Sequence, residues 1–304
     1  MPEPLSITGL RKTYPNGVEA LAGVSLEIPT GMFGLLGPNG AGKSTLMRTL
    51  ATLQDADAGS ARIGALDVLH DKAAVRRLLG YLPQDFGVYP KVTAEDMLDH
   101  LARLKGIAAR ATRKEVVATL LRQVNLWDAR KKALGGFSGG MRQRFGIAQA
   151  LIGNPQLVIV DEPTAGLDPE ERVRFHNLLA EIGENVIVIL STHIVSDVSD
   201  LCANMAIIDR GRVRVTGRPE VLTRELDARV WQKVVAREDL AASKAAYPVI
   251  STRLMAGRTL INVIADVAPG PGFAAVVPTL EDVYFAAIGA PATAAPDAPI
   301  TQPA

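Results

Sequence analysis

The residues best placed for chemistry form a glycine-rich segment that ends in a lysine and a serine. In order they are Gly37, Pro38, Asn39, Gly40, Ala41, Gly42, Lys43 and Ser44. They match the pattern G-x-x-x-x-G-K-[ST], in which backbone N–H groups surround phosphate oxygens at the start of a helix. The ammonium group of Lys43 can reach the β- and γ-phosphates, and the hydroxyl of Ser44 can bind Mg²⁺. The segment predicts a nucleoside triphosphate site, with a structural glycine turn as the weaker alternative.

Two neighbouring carboxylates, Asp161 and Glu162, follow the apolar run 157–160. Cleavage of a phosphoanhydride needs one carboxylate near the metal and a further group that positions or activates water. Successive side chains at a strand tip point to opposite faces, so the two acids can take different roles. Surface acids at a strand end are the alternative for either residue alone.

Three weaker signals lie elsewhere along the chain. Ser138, Gly139 and Gly140 open a helical pattern and offer a second anion site, although in isolation a plain N-cap followed by a glycine turn explains them better. His193 follows a second apolar run, where a γ-phosphate contact would lie, but a lone histidine is usually structural. Gln84 carries an amide that could sense Mg²⁺ or water.

The elements that must position these residues follow from the hydrophobic periodicity. The runs 32–36, 157–160, 186–190 and 205–208 have the length and composition of buried parallel strands, with helices between them. Residues 5–29 alternate as in antiparallel strands, and 93–132 show helical spacing. Beyond residue 224 we expect a hairpin around 256–258, a capped helix from 278, and a disordered Ala- and Pro-rich tail.

Composition narrows the class of protein. The net charge of +1 gives no global reason to expect nucleic acid as a partner. The single cysteine, Cys202, cannot form an internal disulfide, which fits a reducing compartment. We also expect no signal peptide and no membrane span, since no apolar run approaches the roughly 18 residues that a span requires.

The chain resembles the ABC-type ATPases over about residues 5–225. The motifs that carry this resemblance occur in the order typical of that family: the phosphate loop, Gln84, Ser138–Gly140, Asp161–Glu162, 166–168 and His193. The resemblance implies an α/β fold: a P-loop NTPase ABC ATPase core with an antiparallel β subdomain and a helical insertion, plus a small α+β C-terminal domain. The expected domains are 1–225 for the ABC ATPase, with its helical subdomain at about 85–153. Residues 226–288 would form the accessory domain and 289–304 the tail.

The resemblance also implies roles for individual residues. Tyr14 would stack on adenine, and residues 37–42 with Lys43, Ser44 and Thr45 would hold the phosphates of ATP and its Mg²⁺. Asp161, Ser44 and Gln84 would bind the metal, and Gln84 would link it to the helical insertion. Glu162 would be the catalytic base, and His193 would hold the γ-phosphate. Ser138, Gly139 and Gly140 would complete the nucleotide site of a partner cassette, and Asp168 would lie at the dimer seam.

The resemblance finally implies partners and a location. Two such cassettes sandwich two ATP molecules and drive a separate integral membrane permease, so the chain would be peripheral on the cytoplasmic face of the cell membrane. Residues 84–90, 141–144 and 278–284 look similar to those of bacterial drug- and lipid-exporter ATPases, which favours export. The alternative is a soluble ABC ATPase that remodels a ribosome, DNA or an assembly complex.

Overall fold

The computed structural model describes residues 3–289 of the 304-residue chain. These residues form two compact units that meet between Val221 and Leu222, whereas the sequence analysis expects the boundary after residue 225. Gly289 ends the last helix, and the rest of the predicted tail lies outside the described residues. None of the helices within residues 3–289 is long and apolar enough to cross a membrane.

The first unit contains ten strands and the helices that connect them. Its strands are β1 (Leu5–Thr13), β2 (Glu19–Ile28), β3 (Gly31–Leu36), β4 (Ala58–Ile63), β5 (Leu66–Asp67), β6 (Leu79–Leu82), β7 (Leu157–Asp161), β8 (Ile187–Thr192), β9 (Asn204–Asp209) and β10 (Arg212–Gly217). Its helices are α1 (Lys43–Leu50), α2 (Lys72–Leu78), α3 (Ala94–Leu104), α4 (Arg110–Gln123), α5 (Gly139–Ala150), α6 (Pro169–Gly183) and α7 (Val195–Leu201), while α8 (Pro219–Arg224) crosses the boundary.

A six-stranded sheet of order β10-β9-β3-β8-β7-β6 forms the centre of this unit, and its strands from β9 to β6 are parallel. Strands β7 and β8 are buried at every position, because helices cover both faces of a parallel sheet. Leu36 pairs with Thr192, and Asp161 pairs with Ser191. The carboxyl ends of β3, β7 and β8 therefore meet at one edge of the sheet, which is where ligands bind in such folds.

A second sheet, of order β2-β1-β4-β5, is antiparallel as the alternating pattern predicts. A tight turn joins β1 to β2, with backbone hydrogen bonds from Tyr14 to Val18 and from Gly17 to Tyr14. Leu5 and Ile7 from this sheet share one buried cluster with Phe33 and Leu46 from the central sheet and α1. The shared core fixes the β1–β2 turn relative to the phosphate loop.

The predicted helical insertion consists of α3 and α4, which pack against α5. The hydroxyl of Thr93 caps α3 by accepting a hydrogen bond from the backbone of Asp96. The buried guanidinium of Arg113 on α4 donates to Asp99 on α3 over 2.9 Å. Because this pair is also held by backbone carbonyls, it joins the two helices with its charges satisfied.

The second unit contains a small antiparallel sheet and two helices. Its sheet has the order β12-β13-β11-β14, with β11 (Val230–Val235), β12 (Val249–Met255), β13 (Arg258–Ile264) and β14 (Ala274–Ala275), and its helices are α9 (Leu240–Ala246) and α10 (Leu280–Gly289). Strands β12 and β13 form the expected hairpin around 256–258. The capped helix expected from residue 278 is α10, which begins at Leu280.

Candidate active site

The phosphate loop joins the buried strand β3 to α1 at the carboxyl edge of the central sheet. Two of its glycines are required by space: a Cβ atom on Gly37 would lie 2.3 Å from the backbone oxygen of Ile208, and one on Gly42 would lie 2.4 Å from that of Ala20. Gly42 also has a φ angle of +106°, in the region that favours glycine. Within the described part of the chain no side chain caps α1, so its first backbone N–H groups can donate hydrogen bonds to an anion.

Lys43 crosses the mouth of this loop. Its ammonium donates to the backbone oxygen of Gly37 over 2.6 Å and to that of Pro38 over 3.3 Å. It also forms an ion pair with Oε1 of Glu162 at 3.4 Å, where the two side chains are 6% and 7% exposed. The lysine is therefore held at the phosphate loop by partners that a phosphate can replace.

Glu162 stands between this cation and an imidazole. Its Oε2 lies 2.6 Å from Nδ1 of His193, whose side chain is 50% exposed. The sequence predicts both acids at a strand tip, but β7 ends at Asp161, and Glu162 turns out of the strand with a φ angle of +49°. Its backbone N–H donates to Ser191 over 2.8 Å, which holds this turn against β8. The turn directs Glu162 to the phosphate loop.

Asp161 is buried at the end of β7, and its Oδ1 has no hydrogen-bond partner within residues 3–289. Burial raises the pKa of Tyr81, and the negative charge of Asp161 raises it further. A buried carboxylate oxygen without a partner is costly, so this site is suited to a cation that accompanies the phosphates.

A cavity of about 360 Å³ brings most of the predicted residues together. It is lined by Tyr14, Val18, Glu19, Ala20, Pro38, Asn39, Gly40, Ala41, Gly42, Lys43, Ser44, Thr45, Gln84, Glu162 and His193. Tyr14 reaches it from the β1–β2 turn, and its hydroxyl lies 3.1 Å from Oγ1 of Thr45. Gln84 reaches it from the end of β6, a strand that the sequence analysis did not predict.

Six predicted residues are not among the described residues that line this cavity: Gly37, Ser138, Gly139, Gly140, Asp161 and Asp168. Gly37 and Asp161 directly precede lining residues in the sequence, whereas the other four belong to the starts of α5 and α6. Ser138 is the N-cap of α5 and accepts a hydrogen bond from the backbone of Met141 over 3.2 Å, as in the plain N-cap given above as the alternative to an anion site. Asp168 is the N-cap of α6 and accepts from the backbone of Glu171 over 2.8 Å. One chain therefore presents two separate groups of candidate site residues.

Packing within its own chain requires a glycine at Gly140. A Cβ atom on it would lie 2.2 Å from Oε2 of Glu171 on α6. The same carboxylate pairs with Arg144 on α5 through its Oε1 at 3.3 Å. The glycine lets α5 approach α6 closely, a role that no local sequence pattern reveals.

The candidate Mg²⁺ ligands fit that ion chemically. A serine hydroxyl, an amide oxygen and a carboxylate are hard oxygen donors of the kind that Mg²⁺ prefers, and this ion usually takes its other ligands from phosphates and water. Ser44 and Gln84 line the cavity, and Asp161 has a free buried oxygen. Residues 3–289 contain no cluster of three His, Cys, Asp or Glu side chains that would hold a metal without such help.

Comparison with known proteins assigns this site to a family. The family described as "ABC transporter" matches residues 21–165. The daunorubicin/doxorubicin resistance ATP-binding protein DrrA of Streptomyces peucetius is 38% identical over 229 residues, which are 74% of this chain and 68% of DrrA. The probable multidrug ABC transporter ATP-binding protein YbhF of Escherichia coli is 30% identical over 307 residues, which are 95% of this chain. That match is 53% of YbhF, so the chain spans about half the length of this relative.

A solved structure agrees with these sequence matches. The ATP-binding cassette MJ0796, solved as a dimer in a post-hydrolysis state with ADP and Pi bound, superimposes with a TM-score of 0.64 at 25% identity. The match covers 70% of this chain and 98% of MJ0796.

The fold and the site define a P-loop ATPase with an ABC cassette. The chain belongs to the ABC transporter family, as one of its ATP-binding subunits, and its reaction is the hydrolysis of ATP to ADP and phosphate. The matched proteins give no support to the alternative of a ribosome- or DNA-remodelling ATPase.

Proposed function

We propose that two copies of this chain clamp two ATP molecules between them, and that hydrolysis at Glu162 opens the clamp to drive a membrane permease in export. The observation that carries this proposal is the arrangement of Lys43, Glu162 and His193 at the phosphate loop, where 3.4 Å and 2.6 Å separate successive polar atoms. This arrangement places together a cation that can contact the γ-phosphate, a carboxylate that can accept a proton from water, and an imidazole that can donate to the phosphate.

In this proposal the phosphates of ATP bind along residues 37–45, with the backbone N–H groups of the loop and the ammonium of Lys43 as donors. Tyr14 supplies an aromatic surface for adenine, and its hydrogen bond to Thr45 supports the proposal by tying that surface to the phosphate loop.

The carboxylate of Glu162 accepts a proton from the attacking water, and His193 donates to the γ-phosphate. The position of Glu162 supports the role of base, since its carboxylate lies beside the ammonium of Lys43 at the phosphate loop. Lys43 and His193 both donate to phosphate oxygens in this proposal. Each must therefore exchange its contact with Glu162 for one with ATP when the phosphates bind.

Ser44, Gln84 and Asp161 would hold Mg²⁺, which neutralises developing charge on the phosphates when it is bound. The unpartnered oxygen of Asp161 supports this assignment. Gln84 would also report the state of this site to the helical region, since it directly precedes the segment that leads to α3.

The second group of residues would act on a partner copy. Ser138 caps α5 and leaves the helix start open. A Cβ atom added to Gly139 would have no other described atom within 4 Å. A phosphate loop covers one side of ATP, so an anion-binding helix start from a second chain can close the other side and exclude water. Asp168 would lie at this seam.

The substitution Glu162→Gln tests the proposed chemistry. The amide keeps the size of the side chain but cannot accept the proton, so we expect ATP hydrolysis to fall by about 100-fold or more while ATP still binds. The exposed Glu238→Gln, in the second unit, is the matched control and should leave the rate unchanged. A Glu162→Gln enzyme that turns over ATP at the wild-type rate would refute the role of Glu162 as base.

Export is proposed from the relatives. DrrA is named for resistance to daunorubicin and doxorubicin, and YbhF is named a probable multidrug transporter subunit. We infer a peripheral subunit on the cytoplasmic face of the membrane, bound to an integral membrane permease that chooses the substrate.

A further inference from the structure

Asp197 is a fully buried carboxylate that none of the roles above uses. It lies in the first turn of α7, shortly after His193, and is 0% exposed. A buried charge is costly unless it is paired and hydrogen-bonded, so the partners of this group show what it holds in place.

The two oxygens of Asp197 bind two different sets of partners. Oδ2 accepts a hydrogen bond from the hydroxyl of Thr164 over 2.6 Å and a longer one from Thr192 over 3.5 Å. Oδ1 lies 2.8 Å from Nε of Arg172 and 2.9 Å from Nε2 of His176. Every one of these partners comes from a segment distant in sequence, except for Thr192.

The partners of Oδ2 connect the two segments that carry Glu162 and His193, the pair that we call the hydrolysis centre. Thr164 follows Glu162 across Pro163, and Thr192 directly precedes His193. The hydroxyl oxygen of Thr192 also accepts from the backbone of Ile194 over 3.0 Å, which closes a turn around His193. Oδ2 of Asp197 thus restrains both segments whose side chains, Glu162 and His193, are hydrogen-bonded to each other.

The second set anchors this arrangement to α6. Arg172 and His176 lie on that helix, which begins with Asp168 as its N-cap. The guanidinium of Arg172 neutralises the buried charge and also donates to Ser196 on α7. The position of the hydrolysis centre is therefore linked, through Asp197, to the helix that starts at the proposed dimer seam.

We propose that Asp197 is a positioning residue for ATP hydrolysis: it holds Glu162 and His193 in register and ties the pair to α6. This inference rests on the proposed roles of Glu162 and His193. Asp197 is not among the described residues that line the nucleotide cavity, so it acts on the rate through its neighbours and not through contact with ATP.

The test is the steady-state ATPase activity of the full chain carrying Asp197→Asn. Asparagine keeps the volume but lacks the charge that Arg172 pairs with, and its single amide oxygen cannot accept from both Thr164 and Arg172. We expect kcat to fall by about 10-fold or more, with KM for ATP changed by less than about twofold. The matched control is Asp200→Asn, the same substitution at an exposed position on α7, which should leave both constants unchanged.

A second experiment separates positioning from general destabilisation. Because Asp197 is proposed to hold His193 in register with Glu162, Asp197→Asn should reduce kcat by less than about twofold in a His193→Ala background, where that register is already lost. Thr164→Val removes one hydrogen bond at nearly constant volume and should lower kcat in the same direction. It takes the place of Asp197→Asn if that variant does not fold.

An unchanged kcat in a folded Asp197→Asn chain would overturn the inference, and so would an equal loss with and without His193. If Asp197→Asn does not fold, an unchanged kcat in Thr164→Val would overturn it. Failure of the proposed function is recognised separately, because it requires Glu162→Gln to hydrolyse ATP at the wild-type rate.

Discussion

At the scale of single residues, the site depends on how each charge is held. Lys43 and Glu162 are both buried, and each is the other's partner at 3.4 Å, so neither charge stands alone in the protein interior. A phosphate that enters this cavity competes with Glu162 for the ammonium of Lys43. Phosphate binding should therefore release the carboxylate toward water, which is where a base is needed.

Cys202 shows the opposite case, a reactive group made inert by its surroundings. Burial raises the pKa of this thiol to about 12, and the negative charge of Asp197 adds to the shift. The thiolate is the reactive form, and the raised pKa leaves very little of it at pH 8. We expect a thiol reagent such as DTNB to leave the folded chain unlabelled at that pH and to label one thiol per chain in denaturant. Rapid labelling of the folded chain would contradict this account of its burial.

At the scale of elements, the apolar runs at β3, β7, β8 and β9 could be predicted because these strands are buried on both faces. Strand β6 could not, since its four residues include Gly80 and Tyr81 and form no periodic pattern. Its existence matters to function because it carries Gln84 to the cavity.

The local motifs were predictable for a similar reason. The phosphate loop, the cap at Ser138 and the acids at Asp161 and Glu162 each depend on neighbouring residues, so spacing reveals them. The contact between Gly140 and Glu171 and the partners of Asp197 join distant segments, and only the folded chain brings them together. Sequence periodicity contains no signal for them.

The start of α10 offers a prediction about the second unit. Asp282 is 4% exposed and accepts hydrogen bonds from the backbone and hydroxyl of Thr279 over 2.9 and 2.8 Å. It also accepts from Nδ2 of Asn262 on β13 over 2.8 Å, and Asn262 in turn accepts from Gln232 on β11. One carboxylate thus caps the helix and fastens it to the sheet.

We expect Asp282→Ala to lower the free energy of unfolding of this unit by about 2–4 kcal/mol, since it removes three hydrogen bonds made to a charged, buried carboxylate. Urea unfolding followed by the fluorescence of Trp231, with Trp127 replaced by Phe, reports on this unit alone. The neighbouring Glu281→Ala removes only an exposed ion pair with Arg253 and should change the value by less than about 1 kcal/mol. Equal effects of the two substitutions would contradict the role of Asp282.

At the scale of the whole molecule, ATP hydrolysis by this subunit must act on another protein for transport to occur. We expect a tagged copy, expressed in its own host and recovered from detergent-solubilised membranes, to bring an integral membrane protein with it. A copy carrying Lys43→Ala is the control for nucleotide-dependent contacts. Recovery with ribosomes or nucleic acid, and without an integral membrane protein, would contradict the proposed permease partner.

The two groups of site residues on each chain lead to the central claim, that ATP is hydrolysed between two copies. In the proposed dimer, Ser138→Arg would block the helix start that one copy offers to the ATP of its partner. Lys43→Ala would remove the ammonium that contacts the ATP bound to its own phosphate loop. In a mixed dimer one site carries both lesions and the other carries neither. In a dimer of either variant alone, both sites carry one lesion.

The measurement is therefore the ATPase rate of each variant alone and of the two mixed after exchange of subunits. The account predicts that both pure variants are nearly inactive and that the mixture regains a substantial part of the wild-type rate. A mixture that is no faster than the average of its two components, at every ratio, would contradict it.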